Sequence, residues 1–126
     1  MKKYKFKINF KDNRGVIADL LQKKVDSLTY VTIKKGKIRA NHYHKKTVQW
    51  NFVLSGKVNL FYKKNDKSKF VKKILLKKND FVMCDKYEPH AFKSLSNCEL
   101  LVLTKGPRQG KEYESDTFRL KKLLVE

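Results

Sequence analysis

The sequence predicts an all-β domain, a sandwich or a barrel, on two observations. Short apolar runs, alternating or continuous, recur along most of the chain, and turn-forming pairs such as Lys35-Gly36, Ser55-Gly56 and Asn79-Asp80 separate them. The runs lie at 4–10, 28–33, 38–44, 49–54, 58–62, 70–76, 81–84, 91–95 and 100–103. Short strands at such regular spacing are typical of sheets that pack face to face or close on themselves.

The two ends of the chain are predicted as follows. Residues 4–10 alternate large apolar residues with Lys and Asn, which predicts a half-buried strand. A short helix is compatible only with residues 16–25 and with the last dozen residues. The polar stretch 106–117 has the composition of turns. For the C-terminal segment, 116–125, the alternation over its later part favours a strand, which we expect to pack on the barrel or on a neighbouring subunit.

Length and composition exclude a membrane protein, a secreted disulfide scaffold and a multidomain protein. With 126 residues, 40% of them hydrophobic and 34% charged, the chain suits one globular domain. No apolar stretch is long enough to span a bilayer, and the Lys-rich N-terminus has no apolar segment typical of a secretory signal. We therefore expect a cytoplasmic protein without membrane contact. Cys84 and Cys98 are expected to be free thiols, although a bridge between them stays open.

The net charge of +19 comes from 31 basic and 12 acidic residues. Almost all the basic residues are lysines in scattered pairs, whereas arginine occurs only at Arg14, Arg39, Arg108 and Arg119. Arginine is the side chain that recognises phosphate and guanine in a bidentate manner, so its scarcity argues against a specific nucleic-acid site. The lysines are interpreted as a solvated surface whose positive field attracts anionic small molecules.

The chain has three histidines, and their placement is its most informative feature. His42 and His44 stand two residues apart in a predicted strand, so both side chains point to the same face. Gln49 opens the next predicted strand, and His90 follows Pro89 where a later strand begins.

These residues carry a family resemblance. The pattern Gly36-x5-His42-x-His44-x4-Gln49-x6-Gly56 resembles the first signature of the cupins, with glutamine where glutamate is usual. Residues 79–97, which contain His90, resemble the second signature in a degraded form. The resemblance covers about residues 28–104. It implies an all-β double-stranded β-helix, a jelly-roll barrel, with the functional site inside its mouth.

A second resemblance is narrower. Residues 39–45, Arg-Ala-Asn-His-Tyr-His-Lys, resemble the Arg-Gly-x-His-x-His-Lys run of nucleotide-sugar 3,4-ketoisomerases, which are cupins that work without a metal ion, and Ala40 stands where those enzymes have glycine. Arg39 and His42 also resemble the Arg-Gly-x-His of the dTDP-keto-sugar 3,5-epimerases, and residues 12–15, Asp-Asn-Arg-Gly, resemble the Asp-x-Arg-Gly near the start of those enzymes. The resemblance implies that Arg39 holds a phosphate, that His42 and His44 transfer a proton, and that Gln49 orients a hydroxyl or a histidine.

The resemblance to metal-binding cupins implies a different use of the same side chains. His42, His44, His90 and, in the glutamate position, Gln49 would then hold one divalent transition metal such as Zn, Fe, Ni or Mn. An amide oxygen is a neutral, weak ligand, so this set would leave the charge of the ion uncompensated.

Our interpretation is a single cupin domain over residues 1–126, with a barrel core at about 28–104, an N-terminal strand at 4–10 and a homodimeric state. The first hypothesis is an isomerase or epimerase of a nucleotide-linked keto-sugar, with His42 and His44 catalytic, Arg39, Gln49 and His90 binding substrate, and no metal required. Two alternatives remain: a metal-dependent cupin, an oxygenase or a metal-assisted isomerase, and a non-catalytic module that binds a sugar or an anion.

Overall fold

Two five-stranded antiparallel sheets face each other and form most of the molecule. The computed structural model describes residues 1–126. Its elements, in chain order, are β1 (Lys2–Tyr4), β2 (Phe10–Asp12), β3 (Gly15–Ile17), β4 (Ser27–Ile33), β5 (Ile38–Tyr43), β6 (Val48–Ser55), β7 (Lys57–Tyr62), β8 (Lys72–Lys77), β9 (Phe81–Cys84), β10 (His90–Ser94), β11 (Cys98–Lys105), α1 (Gly110–Ser115) and β12 (Phe118–Arg119). The predicted all-β class is confirmed.

The order of strands interleaves distant parts of the chain. The first sheet has the order β1-β9-β6-β11-β4 and the second has the order β12-β5-β10-β7-β8, while β2 and β3 form a separate hairpin. Most strands that follow each other in the chain, such as β4 and β5, therefore lie in different sheets, whereas β7 and β8 pair within the second sheet. This crossing between two facing sheets is the arrangement of a jelly roll.

The space between the sheets is filled by one apolar cluster. The alternation of side chains along each strand directs one set of residues into this space. In β11, for example, Cys98, Leu100, Val102 and Thr104 are buried in strict alternation with more exposed residues. The interior cluster consists of Ile33, Val53, Val58, Leu60, Leu76, Val82, Cys84, Phe92, Cys98 and Leu100. Both cysteines are free and buried.

A second apolar layer covers the outer face of the first sheet. Trp50, Phe52 and Phe81 are buried there rather than between the sheets. They pack against side chains contributed by the N-terminal part of the chain and by neighbouring strands, namely Tyr4, Phe6, Leu20, Leu21, Val25, Val48, Leu54, Met83, Leu101 and Leu103. The inner strands β6 and β9 of the first sheet are therefore buried on both faces, as their continuous apolar runs allow, whereas Leu28 and Tyr30 of the edge strand β4 are exposed.

The N-terminal prediction is corrected in two respects. The strand predicted over residues 4–10 is divided, since β1 ends at Tyr4 and β2 begins at Phe10. The helix considered for residues 16–25 is absent: Gly15–Ile17 is a strand, and residues 18–26 form no regular element. The physical reason is that Leu20, Leu21 and Val25 pack on the flat outer face of a sheet, and this tertiary contact overrides their local helical spacing.

The C-terminal prediction is also corrected. The short helix α1 lies in the stretch interpreted as turns, and the strand expected towards the C-terminus is limited to Phe118–Arg119, which pairs with β5. Beyond it, the chain is bound by Asn41, whose side chain accepts a hydrogen bond from Leu124 N and donates one to Val125 O. The 116–125 segment thus packs on the barrel mainly through side-chain hydrogen bonds instead of a strand ladder.

No helix in the structure is both long enough and apolar enough to cross a membrane.

Candidate functional site

Strands β5 and β10 bring the three histidines together. His42 and His44 project from the same face of β5, and the antiparallel pairing with β10 places His90 opposite His42. The ring centroids of His42 lie 4.6 Å from those of His44 and 4.9 Å from those of His90, and the His44 and His90 centroids are 5.8 Å apart. One ring nitrogen from each residue lies within 4.8 Å of the others. The predicted convergence of the three imidazoles is therefore present.

A β-bulge in β5 sets the direction of the histidine side chains. The register shifts between His90 and Ala91, so that Asn41 has no partner of its own on β10. Ala40 has a φ of 76° and Asn41 a φ of 58°, two successive residues in the left-handed region. Bulges of this kind turn a side chain out of the regular alternation and occur next to functional sites. Here the bulge separates the exposed Arg39 from the buried His42.

Burial keeps the cluster neutral. Removal from water is the largest cause that lowers the pKa of His42 to about 2 and that of His90 to about 3, and the neighbouring histidines lower both further. Burial likewise lowers the pKa of His44, against the opposing effect of Asp116. At neutral pH all three rings are therefore uncharged and each keeps one free lone pair.

Backbone carbonyls fix the orientation of two of the rings. His44 Nδ1 lies 2.8 Å from the carbonyl oxygen of Asp116, and His90 Nδ1 lies 2.9 Å from that of Glu88. Because a carbonyl oxygen only accepts hydrogen bonds, both Nδ1 atoms must carry the proton, and both Nε2 atoms must be acceptors. His44 Nε2 is buried and has no hydrogen-bond partner.

A cavity of about 180 Å³ opens beside the cluster. Its polar lining is Arg39, His42, Gln49, Asn51, His90, Arg108 and Tyr113, and its apolar lining is Val31, Ile33, Ala40, Phe92, Leu100 and Val102. Four of the predicted site residues, Arg39, His42, Gln49 and His90, thus share one cavity. His44 does not line it, although its ring centroid lies 4.6 Å from that of His42.

Four residues of the site were missed by the sequence analysis: Asn51, Arg108, Tyr113 and Asp116. Asn51 follows Gln49 by two positions in β6, so the period of a strand would have placed it on the same face. Arg108 was a candidate only as one of four arginines. Its guanidinium lies 4.4 Å from the centroid of the Tyr113 ring, and its Nε donates a hydrogen bond to Thr29 Oγ1. No local pattern marked Tyr113 or Asp116.

The donor set also has the chemistry of a metal site. Three neutral imidazoles within 4.8 Å of one another suit a divalent transition ion. The acidic ligand usual in such sites is lacking. At the sequence position where the resemblance places a glutamate, the chain has Gln49, which lines the cavity. The residues therefore fit an ion through His42, His44 and His90, with a neutral ligand shell.

Comparison with solved structures identifies relatives of similar shape. The sugar 3,4-ketoisomerase QdtA of Thermoanaerobacterium thermosaccharolyticum, solved with TDP, superposes with a TM-score of 0.75 at 23% identity, over 94% of this chain and 86% of that one. A 3,4-ketoisomerase from Helicobacter canadensis gives 0.77 at 23% identity, over 94% and 89%. The TDP-quinovose 3,4-ketoisomerase WlaRB of Campylobacter jejuni gives 0.77 at 21%, over 94% and 91%. At these identities the similarity establishes the fold, and the predicted jelly-roll barrel is confirmed.

The sequence comparisons show which family the chain belongs to. No curated protein matches this chain. Residues 10–118, which include both sheets except β1 and every residue of the cavity, match a single protein family. The chain is therefore a member of the polysaccharide biosynthesis C-terminal domain family.

Proposed function

We propose that this protein is an isomerase of a nucleotide-linked keto-sugar that works by histidine-mediated proton transfer. The observation that carries the proposal is the cluster of three neutral imidazoles at a cavity that two arginines also line. The rings supply uncharged bases, and the arginines supply an anion site beside them. Three solved relatives support the same reaction class, because their names give sugar 3,4-ketoisomerase activity.

The reaction needs only a base and a route for the proton. A base removes the proton from the hydroxyl-bearing carbon next to the ketone, and the electron pair of that C–H bond forms an enediolate. Protonation of the former carbonyl carbon then moves the ketone by one position, and the hydroxyl proton passes between the two oxygens, so no oxidant is needed. His42 lines the cavity and would face the substrate, with His44 directly behind it as its proton partner.

Binding of an anion would raise the basicity of these rings. Arg108 is among the charges that lower the pKa of both His42 and His44. A diphosphate held by Arg108 and Arg39 would neutralise that positive charge and place negative charge nearby, so both pKa values would rise on binding. The rings would then be stronger bases with the nucleotide bound than in the free protein.

The test is turnover of TDP-4-keto-6-deoxyglucose, the ligand of one solved relative, in D₂O. We expect a product with the ketone moved to the adjacent carbon and deuterium at the new carbinol carbon, detected by NMR and mass spectrometry. His42→Gln should abolish turnover and leave TDP binding nearly unchanged. Tyr43→Phe, which changes the neighbouring side chain on the opposite face of β5, is the matched control. Retained TDP binding without turnover of any keto-sugar would instead support a non-catalytic binding module.

A second candidate is a metal-dependent enzyme, favoured by the convergence of the three histidines. When bound, a divalent ion would polarise a carbonyl or hydroxyl of the substrate. Elemental analysis of protein purified without an affinity tag would find about one transition metal per chain in this case. Gln49→Glu should then tighten metal binding, because it adds the missing negative charge. In the metal-free isomerase the same change should disturb only substrate hydrogen bonding.

We also propose that the protein is a cytoplasmic homodimer. The hairpin of β2 and β3 exposes Phe10, Val16 and Ile17, and the edge strand β4 exposes Leu28 and Tyr30. An apolar hairpin and an unpaired sheet edge favour association between copies. Buried, unpaired Cys84 and Cys98 are typical of a reducing compartment.

The dimer is tested by sedimentation. Leu28→Lys should yield monomers at concentrations where the parent protein is dimeric. Phe70→Lys is the control, because Phe70 is 80% exposed in the loop before β8, in the other sheet. Equal oligomeric states for the parent protein and both variants would contradict this proposal.

A further inference from the structure

The residues between β11 and β12, which we name the 106–116 segment, are attached at both ends to the same turn, residues 45–47. At one end, a Cβ on Gly106 would lie 2.7 Å from the carbonyl oxygen of Lys46, so the two backbones are in direct contact. At the other end lies Asp116. A surface loop of this length whose ends meet is an Ω-loop, a type that is frequently functional.

Asp116 makes the second attachment with its carboxylate. The carboxylate accepts hydrogen bonds from Lys45 N at 3.0 Å, from Lys46 N at 3.0 and 3.1 Å, and from Thr47 Oγ1 at 2.6 Å. Asp116 is 3% exposed, and Thr47 is fully buried. A buried negative charge with several N–H and O–H donors is a strong and geometrically specific contact.

The same residue contacts the histidine cluster through its backbone. The carbonyl oxygen of Asp116 accepts the hydrogen bond from His44 Nδ1 at 2.8 Å. The carboxylate therefore fixes the position of a carbonyl that determines which nitrogen of His44 carries the proton. The 106–116 segment also holds the cavity residue Tyr113, whose ring centroid lies 5.5 Å from that of His44.

We propose that Asp116 is a positioning residue for the histidine cluster. Its carboxylate holds the 106–116 segment on the 45–47 turn, and its carbonyl thereby keeps His44 protonated at Nδ1, with the unpartnered Nε2 free to exchange a proton with His42. The consequence for turnover rests on the proposed function, whereas the effect on the protonated nitrogen of His44 does not.

The direct test is NMR of the histidine rings in ¹⁵N-labelled protein, which distinguishes a protonated ring nitrogen from a bare one. In the parent protein we expect His44 to be protonated only at Nδ1. In Asp116→Ala we expect a mixture of the two neutral forms at His44, while His90, held by Glu88, keeps its Nδ1 proton. Glu112→Ala is the matched control, because it removes the same charge from an exposed position of the 106–116 segment.

Two milder variants keep the test decisive if Asp116→Ala does not fold. Asp116→Asn retains one acceptor oxygen, and Thr47→Val removes only the hydroxyl donor. Both should shift the His44 equilibrium in the same direction by smaller amounts. Unchanged protonation of His44 in every folded variant would overturn the inference.

Kinetics provide a readout that a purely structural role would not give. We expect kcat for the keto-sugar to fall about 10- to 100-fold in Asp116→Ala with a much smaller change in KM, and Asp116→Asn to recover part of the loss. Equal effects on kcat and KM, or none, would contradict the positioning role. Absence of turnover in the parent protein would refute the proposed function, and the NMR result would still decide the role of Asp116.

Discussion

Ala40 and Asn41 show how single residues set up this site. Both adopt a positive φ inside β5, a conformation that glycine tolerates and that other residues adopt at a cost of about 1–2 kcal/mol. Asparagine is among the residues that tolerate it best, and Asn41 also holds the C-terminal residues through both its side-chain atoms. Ala40 has no such compensation. Glycine, which stands at this point of the resembled Arg-Gly-x-His-x-His-Lys run, would adopt this conformation without strain.

The replacement Ala40→Gly should therefore stabilise the protein. We expect the free energy of unfolding to rise by about 0.5–1 kcal/mol, since relief of strain exceeds the added entropy of the unfolded chain. Urea unfolding measures the change. Ala91→Gly is the control, because Ala91 pairs with Ala40 across the ladder, is fully buried and has no positive φ. Ala91→Gly should destabilise, and a loss of stability in Ala40→Gly would show that the bulge is not strained.

At the scale of elements, the site combines residues from strands of both sheets with residues from the 106–116 segment. Strands β5, β6 and β10 supply the histidines, Gln49 and Asn51 from rigid sheets. The 106–116 segment supplies Arg108 from a loop and Tyr113 from the short helix α1. Arg39 and Arg108 each use Nε to hold a neighbouring strand residue, Thr32 O and Thr29 Oγ1 respectively, which leaves their terminal nitrogens available to a ligand. The two arginines thus approach the cavity from strand β5 and from the 106–116 segment.

Lysine should not replace either arginine in binding a diphosphate. Arg39→Lys and Arg108→Lys keep the charge but lose the planar fork, so we expect the Kd for TDP to rise about tenfold in each. Isothermal titration calorimetry gives the values. Arg119→Lys is the control, because Arg119 is exposed in β12 and does not line the cavity. An equal effect of all three changes would mean that TDP responds to the overall field rather than to these two side chains.

At the scale of the whole molecule, the protein combines a strongly positive surface with an uncharged polar centre. The net charge of +19 lies on a shell of mostly exposed lysines, whereas the buried polar residues include His42, His44 and His90. This distribution attracts an anion from solution without placing a fixed positive charge on the rings that are to act as bases. It also makes the stability of the fold depend on pH.

Stability should fall as the pH decreases below about 6.5. The folded protein keeps His42 and His90 neutral because burial lowers their pKa values to about 2 and about 3, whereas the unfolded chain binds those protons near 6.5. The unfolded state then holds more protons, so each such histidine removes up to about 1.4 kcal/mol per pH unit. The loss is absent well above pH 6.5 and stops growing only near pH 2 to 3, where the folded protein binds the same protons.

Urea unfolding from about pH 7.5 down to about pH 5 measures this slope. Asp12 and Glu99, the carboxyls with lowered pKa values, have ordinary values of 3.8 and 4.5 and therefore titrate mainly below this window. His90→Gln should reduce the slope, because one proton-binding group is lost from the unfolded chain. A flat stability profile over this range, or one that His90→Gln leaves unchanged, would contradict the assignment of neutral rings.

The sequence alone determined the properties that are periodic or local. Alternation and turn residues predicted the eight strands from β4 to β11, but not β1 or β12 with their observed bounds. The spacing of His42 and His44 placed them on one face because side chains on a strand repeat every second residue. Their convergence with His90 followed from a motif resemblance rather than from periodicity, and the residues of the motif also pointed to Arg39 and Gln49.

Only the tertiary structure decided the contacts between parts of the chain that are far apart in sequence. Asp116 binds the turn at 45–47 and His44 across about seventy residues, and neither sequence nor local conformation marks such a contact. The same holds for Arg108 at the cavity, and for Leu20 and Leu21, which cover a sheet instead of forming a helix. The physical reason is that a local pattern determines which face of an element is apolar, whereas the packing of the whole chain determines what that face meets.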